Sequence, residues 1–326
     1  MSEARNRIVR PVAATAAAVV LSLTASGCVT VHGELEIVPT TTKAQAARAV
    51  DTFVDAYNKA DETYDSDADA KHVSGALGAI DAAKLKAGRA LNPGGNPKHS
   101  PLKLTDTQIT VPKKAGWPRW FVTNSDNNRV NGYRWVMVFS RSAENAPWAV
   151  SYLSLLRDGT VPKFKTDKDG WGEAVDPDAS GLAQRPKDMG EQYTKYLKSG
   201  GDAFAPGPHT TRWRETRDKV ASRPGLAIQF IDEPLTSGAY APVALRTQNG
   251  GALVFFSTRR YEKLTASPGS NLPAIGADVK ALMTGEAKQS ATYGYVSGQA
   301  AVDPPKASGK VNVVSRVEGI TSAEGK

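Results

Sequence analysis

The sequence predicts an α+β fold: two tandem modules, each made of helices followed by a curved antiparallel sheet. Three observations carry this. With a 27-residue leader removed, 299 of the 326 residues remain, more than the ~100–150 residues of one typical domain. Apolar residues recur at helical spacing to about Ala90, and beyond Pro93-Gly94-Gly95-Asn96-Pro97 they alternate with polar ones instead. The same order of helices and then strands returns after residue 186.

The first segment is a leader, residues 1–27. Arg5, Arg7 and Arg10 precede an uncharged apolar run from Val12 to Leu23, and Ala25-Ser26-Gly27 follow. A basic start, a short apolar core and a small-residue exit make a secretory signal peptide. The run is shorter than the ~20 residues a membrane-spanning helix needs. Asn6 separates Arg5 from Arg7, so there is no twin-arginine signal. The only cysteine of the chain, Cys28, stands directly after Gly27, and no A-x-A site stands between the apolar run and this cysteine. The arrangement resembles a bacterial lipobox, which implies a diacylglyceryl group on Cys28 as the mature N-terminus. The protein is then held on the outward, extracytoplasmic face of the cell membrane. Ala25 departs from the leucine usual three residues before the cysteine.

Residues 28–42 (CVTVHGELEIVPTTT) are polar and read as a tether. Module 1 spans 43–160. Thr42 and Gln45 fit a capping box for a helix to about Thr63, with Ala46, Val50, Phe53 and Tyr57 as its apolar stripe. A second helix runs from His72 to about Ala90. Strands follow at 102–104, 108–111, 120–122, 134–139 and 148–153, where apolar and β-branched residues alternate between turn residues. Residues 161–186, poor in large apolar side chains, read as a linker. Module 2 spans 187–326, with helices at 188–198 and 209–222, a short helix at 276–283, and strands at 227–231, 241–247, 252–258, 292–302 and 310–317. Two strands even look alike: RWVMVFSRS (134–142) and ALVFFSTRR (252–260).

This order of elements resembles a tandem of cystatin-like or nuclear-transport-factor-two-like modules, in which a bent sheet wraps a helix. GALGAI (75–80), PGGNP (93–97), GWPRWFV (116–122), FKTDKDGW (164–171), ALVFFS (252–257) and DVKALMTGE (278–286) make the mature chain similar to a group of uncharacterised actinobacterial lipoproteins. That resemblance implies a location and no activity.

Composition narrows the chemistry. Net charge is +8, of which the leader supplies +2, and the basic residues are dispersed among acids. An exported chain without a recognisable nucleic-acid motif is not expected to bind nucleic acid. A basic surface is drawn to anionic head groups or acidic wall polymers, although such a charge also serves solubility alone. Ser100-Pro-Leu-Lys103, Ser125-Asp126-Asn127 and Lys198-Ser199-Gly200 match the short elements of serine penicillin-binding enzymes. Pro101 and the strand that follows deny Ser100 the helix start this chemistry needs. Asp65, Asp67 and Asp69 have the alternate spacing of a calcium loop, but Ala70 and Ala76 stand where glycine and a bidentate glutamate are required. His32, His72, His99 and His209 lie in no zinc-binding spacing. No metal, cofactor or catalytic residue is therefore expected. Two aromatic–cationic groups remain as ligand-binding candidates: Trp117, Arg119 and Trp120, and His209, Arg212 and Trp213. Packing explains either group as well as binding does. The expected function is a non-catalytic binding or scaffolding role in the cell envelope, toward an anionic or glycan component. An envelope hydrolase with a site assembled from dispersed residues is the alternative.

Overall fold

Thr42 opens the first helix of the computed structural model, which describes residues 36–326. Strand β1 (Val38–Pro39) precedes it. Thr42 Oγ1 accepts from Gln45 N at 3.1 Å and Gln45 Oε1 accepts from Thr42 N at 3.3 Å. This reciprocal cap satisfies two free amides of helix α1 (Lys43–Thr63). Helix α2 (Gly75–Leu91) begins three residues later than the sequence suggests. The His72 and Val73 amides donate to Asp69 O, and Val73 bridges Val150, so the chain there is tied to a strand instead. Gly75, at φ +53°, starts the helix where a Cβ would run into the Ala239 carbonyl, so glycine is required.

The first half continues with β2 (Leu104–Thr110), β3 (Pro112–Lys114), β4 (Arg119–Asn127), β5 (Tyr133–Arg141) and β6 (Ala149–Arg157). Four of them form an antiparallel sheet in the order β2-β4-β5-β6, with register shifts between β2 and β4 and between β5 and β6. The second half has β7 (Gly172–Glu173), α3 (Met189–Ser199), α4 (Thr211–Ala221), β8 (Ser222–Arg223), β9 (Leu226–Leu235), β10 (Val243–Arg246), β11 (Ala252–Ala266), α5 (Ala277–Leu282), β12 (Met283–Gly285), β13 (Ser290–Asp303) and β14 (Asn312–Gly325). Its seven-stranded sheet runs β12-β14-β13-β11-β9-β8, with β10 also on β11. The fold is α+β with mainly antiparallel pairing.

Period-two alternation explains how the layers stack. On β5, Trp135, Met137 and Phe139 face Ala46, Val50 and Phe53 of α1. Val136 and Val138 turn to the other side, against Leu253, Phe255 and Ala300 of the second sheet. On β11, Val254 and Phe256 face Met189, Tyr193 and Leu197 of α3. The order is helix, sheet, sheet, helix. RWVMVFSRS and ALVFFSTRR are alike because each is a central strand buried on both faces.

Residues 161–186, expected as a linker between separate modules, are instead sewn to both halves. Lys165 N donates to Arg246 O at 2.9 Å, Gly172 N to Val111 O at 2.8 Å and Val175 N to Ala244 O at 2.8 Å. β7 pairs parallel with β3, which pairs with β1. Val175 and Leu182 are buried. The segment lacks large apolar residues because its backbone bonds, more than its side chains, hold it. Residues 36–326 thus share one compact body. The leader 1–27, Cys28, His32 and the tether as far as residue 35 lie outside the described residues.

Candidate functional site

The turn between β3 and β4 builds an aromatic–cationic surface. Lys114 Nζ donates to the carbonyls of Ala115, Gly116 and Pro118 at 2.7, 3.1 and 2.9 Å. Gly116 has φ +64° and the Trp117–Pro118 peptide is cis. Trp117 lies against two guanidinium groups, Arg119 at 5.0 Å and Arg141 at 5.3 Å from its ring centre. Arg119 and Arg141 are cross-strand partners on β4 and β5. Arg141 also lies 4.7 Å from the Trp148 ring centre. Like charges directly opposite destabilise a sheet, and the indole faces offset this by about 0.5–1 kcal/mol per cation. Burial, then the Arg119 charge, holds the Lys114 ammonium and the Arg141 guanidinium below their ordinary pKa values. Neither arginine has a carboxylate at ion-pair distance among the described residues. Arg141 Nη1 donates to the Glu144 main-chain carbonyl at 3.0 Å.

Trp120 does not belong to this surface. One residue along the strand from Arg119, it points to the opposite face and is 4% exposed. There it packs with Val122, Val138 and Phe255 in the core between the sheets. Its carbonyl accepts from Thr40 Oγ1 at 2.7 Å.

On that opposite side a cleft of about 670 Å³ opens between β3, the 165–177 segment and β10, within the ~300–1,000 Å³ of ligand pockets. Trp120, Trp171, Val175 and Val243 give it an apolar lining. Two ion pairs stand in it, Lys113–Asp167 at 2.6 Å and Lys165–Glu173 at 2.7 Å. Asp167 is held below the usual carboxylate range first by its bond from Lys113, and Glu173 first by its bond from Lys165. Ile37, 69% exposed, lines the same cleft where the described chain begins.

The second candidate group divides. Trp213 on α4 is enclosed by Arg316 at 3.8 Å, Arg217 at 4.8 Å and Arg260 at 5.5 Å from its ring. These cations have internal partners: Arg217 makes a bidentate pair with Asp232 at 2.5 and 2.8 Å, and Arg260 bonds Glu262 at 2.5 Å and Glu318 at 2.8 Å. His209 lends its carbonyl to Tyr193 Oη at 2.6 Å. Burial, then the Arg316 and Arg212 charges, pushes its imidazole down to about 4. Only Arg212 is exposed. The group is a packed layer of arginines and aromatics.

A polar hub between α1 and α2 escaped sequence reasoning. Buried Asp61 accepts from Lys84 Nζ at 2.7 Å and Asn96 Nδ2 at 3.2 Å and lies 2.9 Å from His99 Nδ1. Burial pushes its carboxyl up, but the bonds from Lys84 and His99 outweigh that and hold it low. The signal was the PGGNP loop, whose Asn96 and following His99 fold back on the helix. Nearby Asp69 turns inward to Asp81. Among the described residues no group of three or more His, Cys, Asp or Glu is placed to hold a metal ion. No helix among them is long and apolar enough to cross a membrane.

A family model described as a domain of unknown function (DUF8094) matches residues 37–325. An uncharacterised lipoprotein of Streptomyces coelicolor is 54% identical over 311 residues, covering 95% of this chain and 94% of the relative. One of Streptomyces avermitilis is 54% identical over 314 residues, covering 96% and 94%. A second uncharacterised lipoprotein of Streptomyces coelicolor is 24% identical over 228 residues, covering 68% and 62%. No solved structure matches the chain.

Proposed function

The chain belongs to the family of the domain of unknown function DUF8094, and from that premise we propose a lipid-anchored protein of the cell envelope that binds a ligand without transforming it. The lipoprotein names of its relatives support an anchor, and Cys28, directly after the small residues of the leader, is the residue to carry it on the outward face of the membrane. Helices followed by a sheet with register shifts, in each half, support a cystatin-like or nuclear-transport-factor-two-like layout.

The observation that carries the binding role is the cleft beside the start of the described chain. An indole and aliphatic lining suits the apolar face of a sugar ring, while adjacent ammonium and carboxylate groups serve its hydroxyls as donors and acceptors. The ligand is therefore a sugar-bearing envelope component. A general acid at neutral pH needs a raised carboxyl pKa. Asp167 and Glu173 are lowered instead, which suits holding a ligand.

The test pairs two variants. Cys28→Ala moves the protein out of the membrane fraction if the anchor reading holds, and normal processing with full retention would end that reading. Trp171→Ala, checked for an unchanged melting curve, loses retention on isolated cell-wall glycan. Equal retention by the variant removes the cleft from the binding role, and hydrolysis of the glycan would make the protein an enzyme.

A further inference from the structure

We infer that the surface formed by Trp117, Arg119, Arg141 and Trp148 docks on the anionic phospholipid head groups of the membrane that holds the anchor. The inference rests on the anchored reading of Cys28. Three observations carry it.

The first is where the described chain begins. β1 pairs Val38 with Lys114, the residue whose ammonium holds the turn that presents Trp117. Thr40 is bonded to Trp120 on the next strand. The tether therefore enters the body against the strand whose turn carries this surface, where Ile37 borders the cleft. From Cys28 to Val38 there are ten residues, a reach of at most ~36 Å when fully extended. A lipid on Cys28 keeps that end of the body close to the bilayer.

The second is charge. Arg119 and Arg141 make no ion pair among the described residues, and neither does exposed Arg48. Arg48, His72 and Arg141 line a neighbouring groove of about 380 Å³ walled by Trp148, and no carboxylate lines it. A head-group phosphate finds cations there without displacing a protein partner. In the second half, Arg217 and Arg260, which also stack on aromatics, are neutralised by Asp232, Glu262 and Glu318. Two guanidinium groups without such partners converge on the Trp117 ring here, and one of them reaches Trp148 as well.

The third is the pairing of cation with indole. Tryptophan prefers the head-group level of a bilayer, where its ring is half in apolar surroundings and half wet, and arginine binds phosphate with two donors. Each basic side chain near an anionic leaflet strengthens association about fivefold. Trp117 and Trp148 are both half-buried, each with a guanidinium over its ring.

The test uses the full mature lipidated chain on vesicles of one part phosphatidylglycerol to two parts phosphatidylcholine, with brominated acyl chains as quenchers of tryptophan emission. Wild type floats with the vesicles and is quenched. High salt, or pure phosphatidylcholine, keeps the flotation and removes most of the quenching, because exposed charges are screened within a few ångströms. An Arg119→Gln/Arg141→Gln chain with an unchanged melting temperature floats equally and loses most of its quenching, whereas Arg119→Lys/Arg141→Lys keeps the larger part. Trp117→Phe/Trp148→Phe lowers the quenched fraction. Undiminished quenching in the glutamine pair overturns the docking while leaving the anchor intact. A wild-type chain that does not float at all overturns both. Contact of this surface with a second copy or a wall glycan, seen as cross-links that exclude lipid, also overturns it.

Discussion

At Trp117 and Trp120 the same side chain does two different jobs three residues apart. Trp120→Ala empties a site in the core between the sheets and costs about 3–5 kcal/mol, whereas Trp117→Ala gives up stacking on half-exposed cations and costs about 1 kcal/mol or less. Chemical denaturation of the two variants measures the difference, and equal costs would contradict the placement. The sequence names both tryptophans but not their sides, and Arg141, which completes the surface, comes from another strand and so leaves no local trace. The alternation of Arg119, Trp120 and Phe121 was the readable part. A second residue-scale effect concerns buried Asp69. Burial, then the Asp81 charge, pushes it from 3.8 up to about 8. Between those values the folded chain holds a proton that the unfolded chain has released, so stability from this group is complete below 3.8 and is lost as pH rises through about 8. Asp69→Asn, which cannot ionise, should flatten this decline. Denaturant midpoints at acidic and mildly alkaline pH test it, and an unaltered pH slope in the variant would count against a protonated Asp69.

At the scale of elements, helix α1 and the central strands were legible because each carries a clean period and, for α1, a cap. The short strands β1, β3, β7, β8 and β12 were not, since two or three residues hold no period; their pairing comes from neighbours brought together by the fold. The long strands β11 and β14 run past their predicted ends, to Ala266 and Gly325, because partners there supply ladder bonds that polar residues would not signal. The 161–186 segment is the sharpest case. Its composition reads as a linker, yet its amides bond both halves. Limited proteolysis should therefore spare 163–176 and cut first in the exposed stretch 267–275. Early cleavage near Trp171, yielding two folded fragments, would restore the picture of separate modules.

For the whole molecule, the decisive feature is the core shared by the two sheets. Val136, Val138 and Tyr152 of the first lie against Leu253, Phe255 and Ala300 of the second, and Tyr152 Oη donates to Tyr240 O at 2.7 Å. Neither half can lose its partner without baring an apolar face. Thermal unfolding should be one transition, seen alike by tryptophan emission and by far-ultraviolet dichroism, and Phe255→Ala should lower it for both probes together. Two separated transitions would show that the halves melt independently. Sequence order disclosed both halves but not their union, since a strand buried on both faces looks the same whichever layer covers it. That union sets a timetable for synthesis. The inner face of the first sheet is complete once Arg157 has left the ribosome, but its cover comes from β11 and β13, the second of which ends at Asp303. A chain made from its N-terminus thus carries an apolar sheet open to water until the second sheet has been added. A synthesis that stops between the two leaves a sticky half rather than a smaller working protein.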